Sequence, residues 1–343
     1  MPRYRSRMLS WLLGDPQPSM QHVQLSWRLM VFAGPLGLVV GLLVVGFIDL
    51  VQSVNHLFFA VDLQGRLDVK PGQASWMLPL IVMLAGLGVG LIRHLLIRGP
   101  HIHTLTDIVY YVVKHRARIP TRTGFWSTIA NALTLAGGGS AGAQSPVVHF
   151  GAWIAAMIAR KFHVNQHDRK LLVGCAVAAA ISSAFNAPVG GAFFALEVVL
   201  GHFSPVIFAP VVLSAVAGSI IARQFHGNNV AFSMPDYQLA SLSELPAFIL
   251  LGCICALVAI ALARSVAIVR ITTQHIGIPG WMKPALGGLL VGLLATFWPH
   301  ILGMGGGTTQ WVLASDLPLL LLLVWAVVKT IATALTIGSG MGG

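Results

Sequence analysis

Long apolar blocks fill most of the chain, and short polar or glycine-rich stretches separate them. A helix needs about 20 apolar residues to cross a bilayer, and a shorter one is stable at membrane depth only when protein or a cavity surrounds it. The blocks predict helices at 27–50, 76–97, 126–136, 147–160, 171–184, 189–201, 206–223, 246–270, 282–297 and 317–337. The pattern therefore predicts an all-α polytopic membrane protein in which some helices end inside the membrane.

Composition supports this class and restricts the partners. Hydrophobic residues make up 56% of the chain and charged residues 9%, with a mean hydropathy of +0.81, whereas soluble proteins carry about 25% charged residues. The net charge of +11 comes from basic residues dispersed in short segments between apolar blocks, which argues against a nucleic-acid partner. By the positive-inside rule these segments face the cytoplasm, and we expect the N-terminus there too.

One apolar region contains an unusual interruption, "LTLAGGGSAGAQSPVVHFG", from Leu133 to Gly151. A helix that starts inside the membrane presents unpaired N–H groups and about half a positive charge, so it favours an anion. Pro146 is compatible with a helix start, because proline costs no hydrogen bond in the first turn. The alternative is a continuous helix packed through its glycines. We expect an anion-binding helix start at Gly142, Ala143, Gln144, Ser145 and Pro146.

The chain also contains an internal repeat. "IANALTL" at Ile129–Leu135 returns as "IATALTI" at Ile331–Ile337, an offset of 202 residues, and both copies lead into glycine-rich stretches. A second pair, "LPLIVMLAGLGVGLI" and "KPALGGLLVGLLATF", has nearly this spacing but needs a small slip in register. Two halves with matching broken helices are typical of inverted-repeat transporters. We expect a basic cytosolic segment (1–26), a first transmembrane repeat (27–223) and a second (224–343), which is incomplete because no helix follows "GSGMGG".

These motifs resemble those of one family. "SAFNAPVGGAFFALEVVL" at Ser183–Leu200 closely resembles the F-N-A-P-[LV]-[AG]-G-x-x-F-x-x-E segment of the CLC family of voltage-gated-type chloride channels and chloride transporters. "GGGSAGAQSPVVHFG" resembles the G-[KR]-E-G-P motif of the anion pathway in that family. The likeness extends over nearly the whole chain from about residue 28.

The resemblance implies a CLC-type inverted-repeat architecture in which broken half-helices meet at the midplane. It also implies chloride or a similar small anion as the substrate, no cofactor or metal, and a homodimer in the lipid bilayer, whose interface includes about 189–223. We expect the bacterial inner (plasma) membrane as the location. The chain has no HExxH, Walker-type, Rossmann or nucleophile-elbow motif, so we expect no enzymatic activity.

Departures from the family pattern concern proton coupling. Gln144 takes the position of the gating glutamate, and an amide resembles a protonated carboxyl group but does not titrate. Val198 takes the position of the inner glutamate of proton-coupled members, while Glu197 matches a glutamate that the family keeps near the pathway. We therefore expect channel-like or uncoupled anion transport. The alternatives are a proton/chloride antiporter with a different proton route and a transport-dead membrane fragment.

A third departure affects the central anion site. Where the family has G-S-G-I-P, this chain has "GPHIHTLTDIVYY", so His103 or Thr104 replaces the serine. Either side chain could donate a hydrogen bond to an anion, and a helix cap or cytosolic loop is an equally open interpretation. Elsewhere, we interpret His149 as a hydrogen-bonded core residue. A buried Lys329 needs partners, because an unpaired charge inside the membrane is costly.

Overall fold

The computed structural model describes residues 27–61, 67–68, 76–97, 105–201, 203–227 and 244–343. These ranges contain the helices α1 (Trp27–Phe58), α2 (Met77–Leu95), α3 (Leu105–Lys114), α4 (Thr121–Ala136), α5 (Gln144–Lys161), α6 (Gln166–Phe185), α7 (Pro188–Phe194), α8 (Pro205–His226), α9 (Leu245–His275), α10 (Lys283–Phe297), α11 (Gly306–Leu313) and α12 (Leu319–Gly338). A π-helix (Ala195–Leu200) continues α7, and a 3₁₀ turn (Pro299–Ile301) follows α10. A short hairpin pairs Ala60–Val61 with Leu67–Asp68.

The prediction of an all-α membrane protein is confirmed. Five helical spans within the described residues are long and apolar enough to cross a bilayer: Met30–Phe58, Met77–Leu95, Val206–His226, Leu245–His275 and Leu319–Gly338. Other apolar helices are shorter, as the lengths of the sequence blocks indicated. The chain is therefore an integral, multi-pass membrane protein that combines long apolar helices with shorter ones.

Helix α6 forms the centre of the larger core. Residues 171–183 are all buried, and most of them are small, which allows α1, α5 and α8 to pack closely around this helix. Helix α9 is the opposite case, because its most apolar window has no buried residue. Helix α9 packs against α12 near its C-terminal end, where Val269 lies against Gly338, and its exposed apolar window suits contact with lipid. Burial thus separates a helix that supports the centre of the molecule from one at its edge.

The two halves are related by an internal two-fold arrangement, which the contact between α2 and α10 makes visible. A Cβ at Gly86 would meet the carbonyl of Pro284, and a Cβ at Gly288 would meet the carbonyl of Val82. Both pairs follow the offset of 202 residues, so the small slip predicted from sequence is wrong. The helices approach too closely for any side chain at these positions, which keeps the register fixed.

Candidate functional site

The first glycine-rich break separates two antiparallel helices. Near the outer end of the pair, the Trp153 indole donates to the carbonyl of Thr121 at 2.9 Å, and Arg160 donates to the Thr121 hydroxyl at 3.1 Å. The chain therefore enters the molecule along α4 and returns along α5. The break, Gly137–Ala143, lies at the inner end of this pair, as expected for a helix that starts inside the membrane.

The second break follows α12 and has the same backbone turn. Gly139 N–H donates to the Thr134 carbonyl at 2.9 Å, and its equivalent, Met341 N–H, donates to the Thr336 carbonyl at 3.1 Å. Gly138 has φ +80° and the equivalent Gly340 has φ +100°, a left-handed conformation that favours glycine. The sequence repeat therefore corresponds to a repeated structure.

The two breaks contact each other directly. Ser140 N–H donates to the Thr336 hydroxyl at 3.1 Å, and Gly342 N–H donates to the Thr134 hydroxyl at 3.1 Å. The Ser140 hydroxyl also lies 3.2 Å from the hydroxyl of Thr333. Residues about 200 positions apart in the chain thus form one compact site at the meeting point of the two halves.

The residues predicted to bind an anion lie at the start of α5, whose first residue is Gln144. Gly142 and Gln144 are exposed at the break, and Pro146 is buried beneath them. Val147 N–H already donates to the Ala143 carbonyl at 3.0 Å, whereas the preceding N–H groups of a helix have no intrahelical acceptor. The arrangement can therefore offer N–H groups and the positive end of an 18-residue helix to an anion.

The remaining predicted site residues are distributed differently. Glu197 and Val198 both lie on the π-helix after α7, where Glu197 is exposed and Val198 is 36% exposed. His103 and Thr104 lie outside the described residues, immediately before the start of α3. The structure therefore brings Ser140 into contact with the second half and places Gly142–Pro146 directly after it in the chain, and the choice between His103 and Thr104 stays open.

His149 is a core residue, and its interpretation as hydrogen-bonded is confirmed. The side chain is fully buried, and Nδ1 lies 3.3 Å from the Thr128 hydroxyl. That hydroxyl donates its one proton to the Gly124 carbonyl at 2.9 Å. With the Thr128 proton on the Gly124 carbonyl, the hydrogen-bond pattern assigns the proton of the neutral ring to Nδ1, which then donates to Thr128.

Lys329 obtains its partners from backbone carbonyls. Its ammonium group donates to Ile301 at 2.7 Å and to Gly303 at 2.9 Å. Gly303 N–H in turn donates to the Gly138 carbonyl at 3.1 Å. A partly buried cation of α12 therefore holds the loop before α11 against the first break, a role that sequence reasoning missed because the carbonyl groups leave no pattern in the sequence.

A basic cavity of about 350 Å³ lies beside the second break. Its lining includes the side chains of Arg93, Asp107, Arg270 and Lys283 together with residues 338–341. The Arg93 guanidinium donates to the Gly340 carbonyl. Arg93 lies in one of the short basic segments between apolar blocks, and the sequence did not show that its guanidinium reaches this cavity.

Known proteins share this organisation. The family model described as "Voltage gated chloride channel" matches residues 85–343. Chloride channel protein CLC-e of Arabidopsis thaliana is 36% identical over 237 residues, covering 64% of this chain and 33% of the relative. Chloride channel protein CLC-f of the same plant is 30% identical over 353 residues, covering 97% of this chain and 44% of the relative. The chain thus spans less than half the length of these two relatives.

Solved structures agree with the fold. The structure of a slow cyanobacterial Cl⁻/H⁺ antiporter superposes with a TM-score of 0.78 at 21% identity, covering 92% of this chain and 75% of that one. This superposition shows a shared fold, and the family model covers most of the chain. The chain belongs to the voltage-gated chloride channel (CLC) family.

Proposed function

We propose that this protein transports chloride or a similar small anion across a membrane without coupling to protons. The observation that carries the proposal is the start of α5 at a break inside the molecule, with Gln144 exposed there. In this proposal the N–H groups at Gly142–Ser145 hold the anion, Pro146 fixes the first turn of the helix, and Gln144 occupies the gate.

Electrostatics explains why such a helix start would select an anion. The helix dipole places about half a positive charge at Gln144, and the low dielectric of the membrane strengthens its effect. Backbone N–H groups replace the water that a dehydrated anion loses. The side chains of Arg93, Arg270 and Lys283 around the nearby cavity add positive potential, which favours the entry of anions over cations.

The lack of titratable side chains at two positions is the reason for proposing uncoupled transport. Gln144 and Val198 stand where proton-coupled relatives carry glutamates, and neither side chain accepts a proton at physiological pH. Glu197 keeps a carboxylate on the π-helix, but it lies beside the position of the inner carrier and not at it. An anion could then pass without an accompanying proton.

Reconstitution into liposomes tests the proposal. A chloride gradient should drive anion flux that a potassium ionophore supports, and the internal pH should not change with it. Uphill proton movement driven by the chloride gradient would contradict uncoupled transport and favour an antiporter with another proton route. No flux in the reconstituted protein, with its fold intact, would favour a transport-dead membrane protein.

We extend the proposal to assembly and orientation. A homodimer with an interface on about 189–223 fits the exposed apolar side chains on this stretch, which include Val189, Phe193, Leu213, Val216 and Ile220. The basic residues at the outer ends of α4 and α5 favour a cytoplasmic location for these ends and for the N-terminus, in a bacterial inner membrane. Cysteine crosslinking across 189–223 and protease accessibility in oriented vesicles would test both points.

A further inference from the structure

We propose that Thr134 and Thr336 form a reciprocal pair of positioning residues that sets the spacing of the two breaks and, through it, the anion selectivity of the pathway. The selectivity part of this inference rests on the proposed anion transport. The positioning part depends only on the hydrogen bonds between the two halves, and it can be tested separately.

The hydroxyl groups of Thr134 and Thr336 make equivalent hydrogen bonds. Thr134 donates to the Ala130 carbonyl at 3.0 Å, and Thr336 donates to the Ala332 carbonyl at 2.9 Å. A threonine hydroxyl has one proton, so each oxygen can only accept a further bond. Each oxygen accepts the N–H of the opposite break: Gly342 for Thr134 and Ser140 for Thr336, both at 3.1 Å.

Burial makes these two bonds important. Thr134, Ser140 and Thr336 are all completely buried. An N–H group without an acceptor is costly at membrane depth, because no water is present to replace the lost bond. If the two breaks moved apart, the N–H groups of Ser140 and Gly342 would both lose their acceptors at once. The two bonds therefore resist any change in the distance between the breaks.

The pair also determines which N–H groups remain for an anion. The Ser140 and Gly342 N–H groups point to threonine oxygens in the opposite half. The N–H groups at the start of α5, at Gln144 and Ser145, are not used in this way and keep their positive potential for a ligand. The threonines therefore act through the backbone and do not need to touch the anion.

Threonine suits this role better than other residues. Its hydroxyl bonds to the carbonyl one turn earlier, which holds χ1 in one rotamer and aims the oxygen at the other half. Valine has nearly the same shape but no acceptor, and serine keeps the acceptor but has a smaller side chain. These two substitutions therefore separate loss of the oxygen from loss of packing.

The test uses Thr134→Val, Thr336→Val, the double variant, and Thr134→Ser and Thr336→Ser in the full chain. Thr330→Val is the matched control, since Thr330 lies on the same helix as Thr336 and makes the same bond one turn back, to Ala326 at 2.7 Å, without a partner in the other half. Two quantities are measured: the chloride over gluconate permeability ratio from reversal potentials, and the hydrogen exchange of the Ser140 and Gly342 amides.

Each valine variant should lower the permeability ratio by about tenfold or more, the scale expected for one unsatisfied buried group. The exchange of the amide that lost its acceptor should accelerate by a similar factor, while the serine variants and Thr330→Val stay close to wild type. The fold decrease of the permeability ratio in the double variant should be smaller than the product of the two single decreases, because breaking one bond already loosens the other.

Valine variants with wild-type selectivity and wild-type amide exchange would overturn the proposal. Fast exchange of Ser140 and Gly342 in the unaltered protein would also overturn it, and this measurement does not depend on whether any variant folds. If wild-type protein carries no anion, the proposed function fails, and the exchange data alone decide whether the threonines position the breaks.

Discussion

The two glycine-rich breaks share one backbone but differ in their surroundings. Gly138 and Gly340 occupy equivalent places in the same turn, yet their carbonyls have different donors. The Gly138 carbonyl accepts a backbone N–H from Gly303 at 3.1 Å, whereas the Gly340 carbonyl accepts from the guanidinium of Arg93. The direct donor to the carbonyl is thus a neutral backbone N–H at the first break and a cationic side chain at the second.

The surroundings of the two turns also differ. A Cβ at Gly138 would lie 2.7 Å from the ring of Phe59, so the first turn packs against an aromatic side chain. The second turn faces the cavity that Arg93, Arg270 and Lys283 surround. The comparison teaches that the internal symmetry fixes the backbone frame, while unrepeated side chains give the two breaks different electrostatic environments.

The largest effect should come from breaking the shared frame at the contact between α2 and α10. Gly86→Ala and Gly288→Ala each place a methyl group against a backbone carbonyl, which cannot move like a flexible side chain. We expect each to lower the free energy of unfolding by about 3 kcal/mol. Thermal unfolding in detergent measures this loss. Gly46→Ala is the control, since no atom lies within 4 Å of its Cβ position; unequal losses at Gly86 and Gly288 would weaken the symmetry argument.

Removing the partly buried cation near the first break should have the next largest effect. Lys329→Met deletes the donor to the Ile301 and Gly303 carbonyls and loosens the loop that reaches Gly138. We expect a loss of about 2 kcal/mol of unfolding free energy, as for hydrogen bonds to a charged group. The exposed Lys161→Met should be nearly neutral in the same assay. Equal stability of Lys329→Met and wild type would show that the loop does not depend on this lysine.

A charge introduced into the first break tests whether that neutral site faces the anion. In Gln144→Glu the new carboxylate has an ordinary pKa of about 4.3 and competes with the anion for N–H groups only when ionised. Chloride flux should therefore be high at low pH and fall by about tenfold as pH rises from about 4 to 7. Gln166→Glu, at the start of α6, is the control. A flux of Gln144→Glu that does not change with pH would mean that Gln144 does not face the pathway.

The smallest effect should come from removing charge at the second break without removing a donor. The side chain of Arg93→Gln is neutral and shorter but keeps an amide N–H donor, and Arg270 and Lys283 still line the cavity. Chloride flux should fall about threefold at low ionic strength and recover at high salt, because screening removes long-range attraction. Arg264→Gln on the exposed α9 should show neither change. A loss that persists at high salt would indicate a structural role for Arg93.

Sequence reasoning predicted the helical spans and the break between Leu133 and Gly151, because both follow from local hydrophobicity and from glycine and proline. It also found the repeat, but the second pair of segments was aligned with a slip. The structure places Gly86 and Gly288 at equivalent positions, at the same offset of 202 residues as the first pair. The glycines at 86 and 288 give the true register, since close helix contact permits no other residue.

The contacts between the breaks were beyond sequence reasoning. Thr134 and Thr336 stand at matching places in "IANALTL" and "IATALTI", so the repeat itself contained a hint of their shared role. A hydrogen bond from a backbone N–H about 200 residues away, however, changes neither the composition nor the hydrophobic periodicity of the sequence. Arg93 was assigned to a polar segment by its charge. Only the folded chain brings its guanidinium to the Gly340 carbonyl.

The reciprocal bonds between Thr134 and Gly342 and between Thr336 and Ser140 have the form of an isologous contact, in which each side gives what it receives. Two separate copies of one half, inserted into the membrane in opposite orientations, could make the same pair of bonds with each other. The contact therefore needs no covalent link between the halves. A gene duplication followed by fusion could preserve it unchanged, and later substitutions at positions such as Arg93 could then give the two sides of the membrane different chemistry.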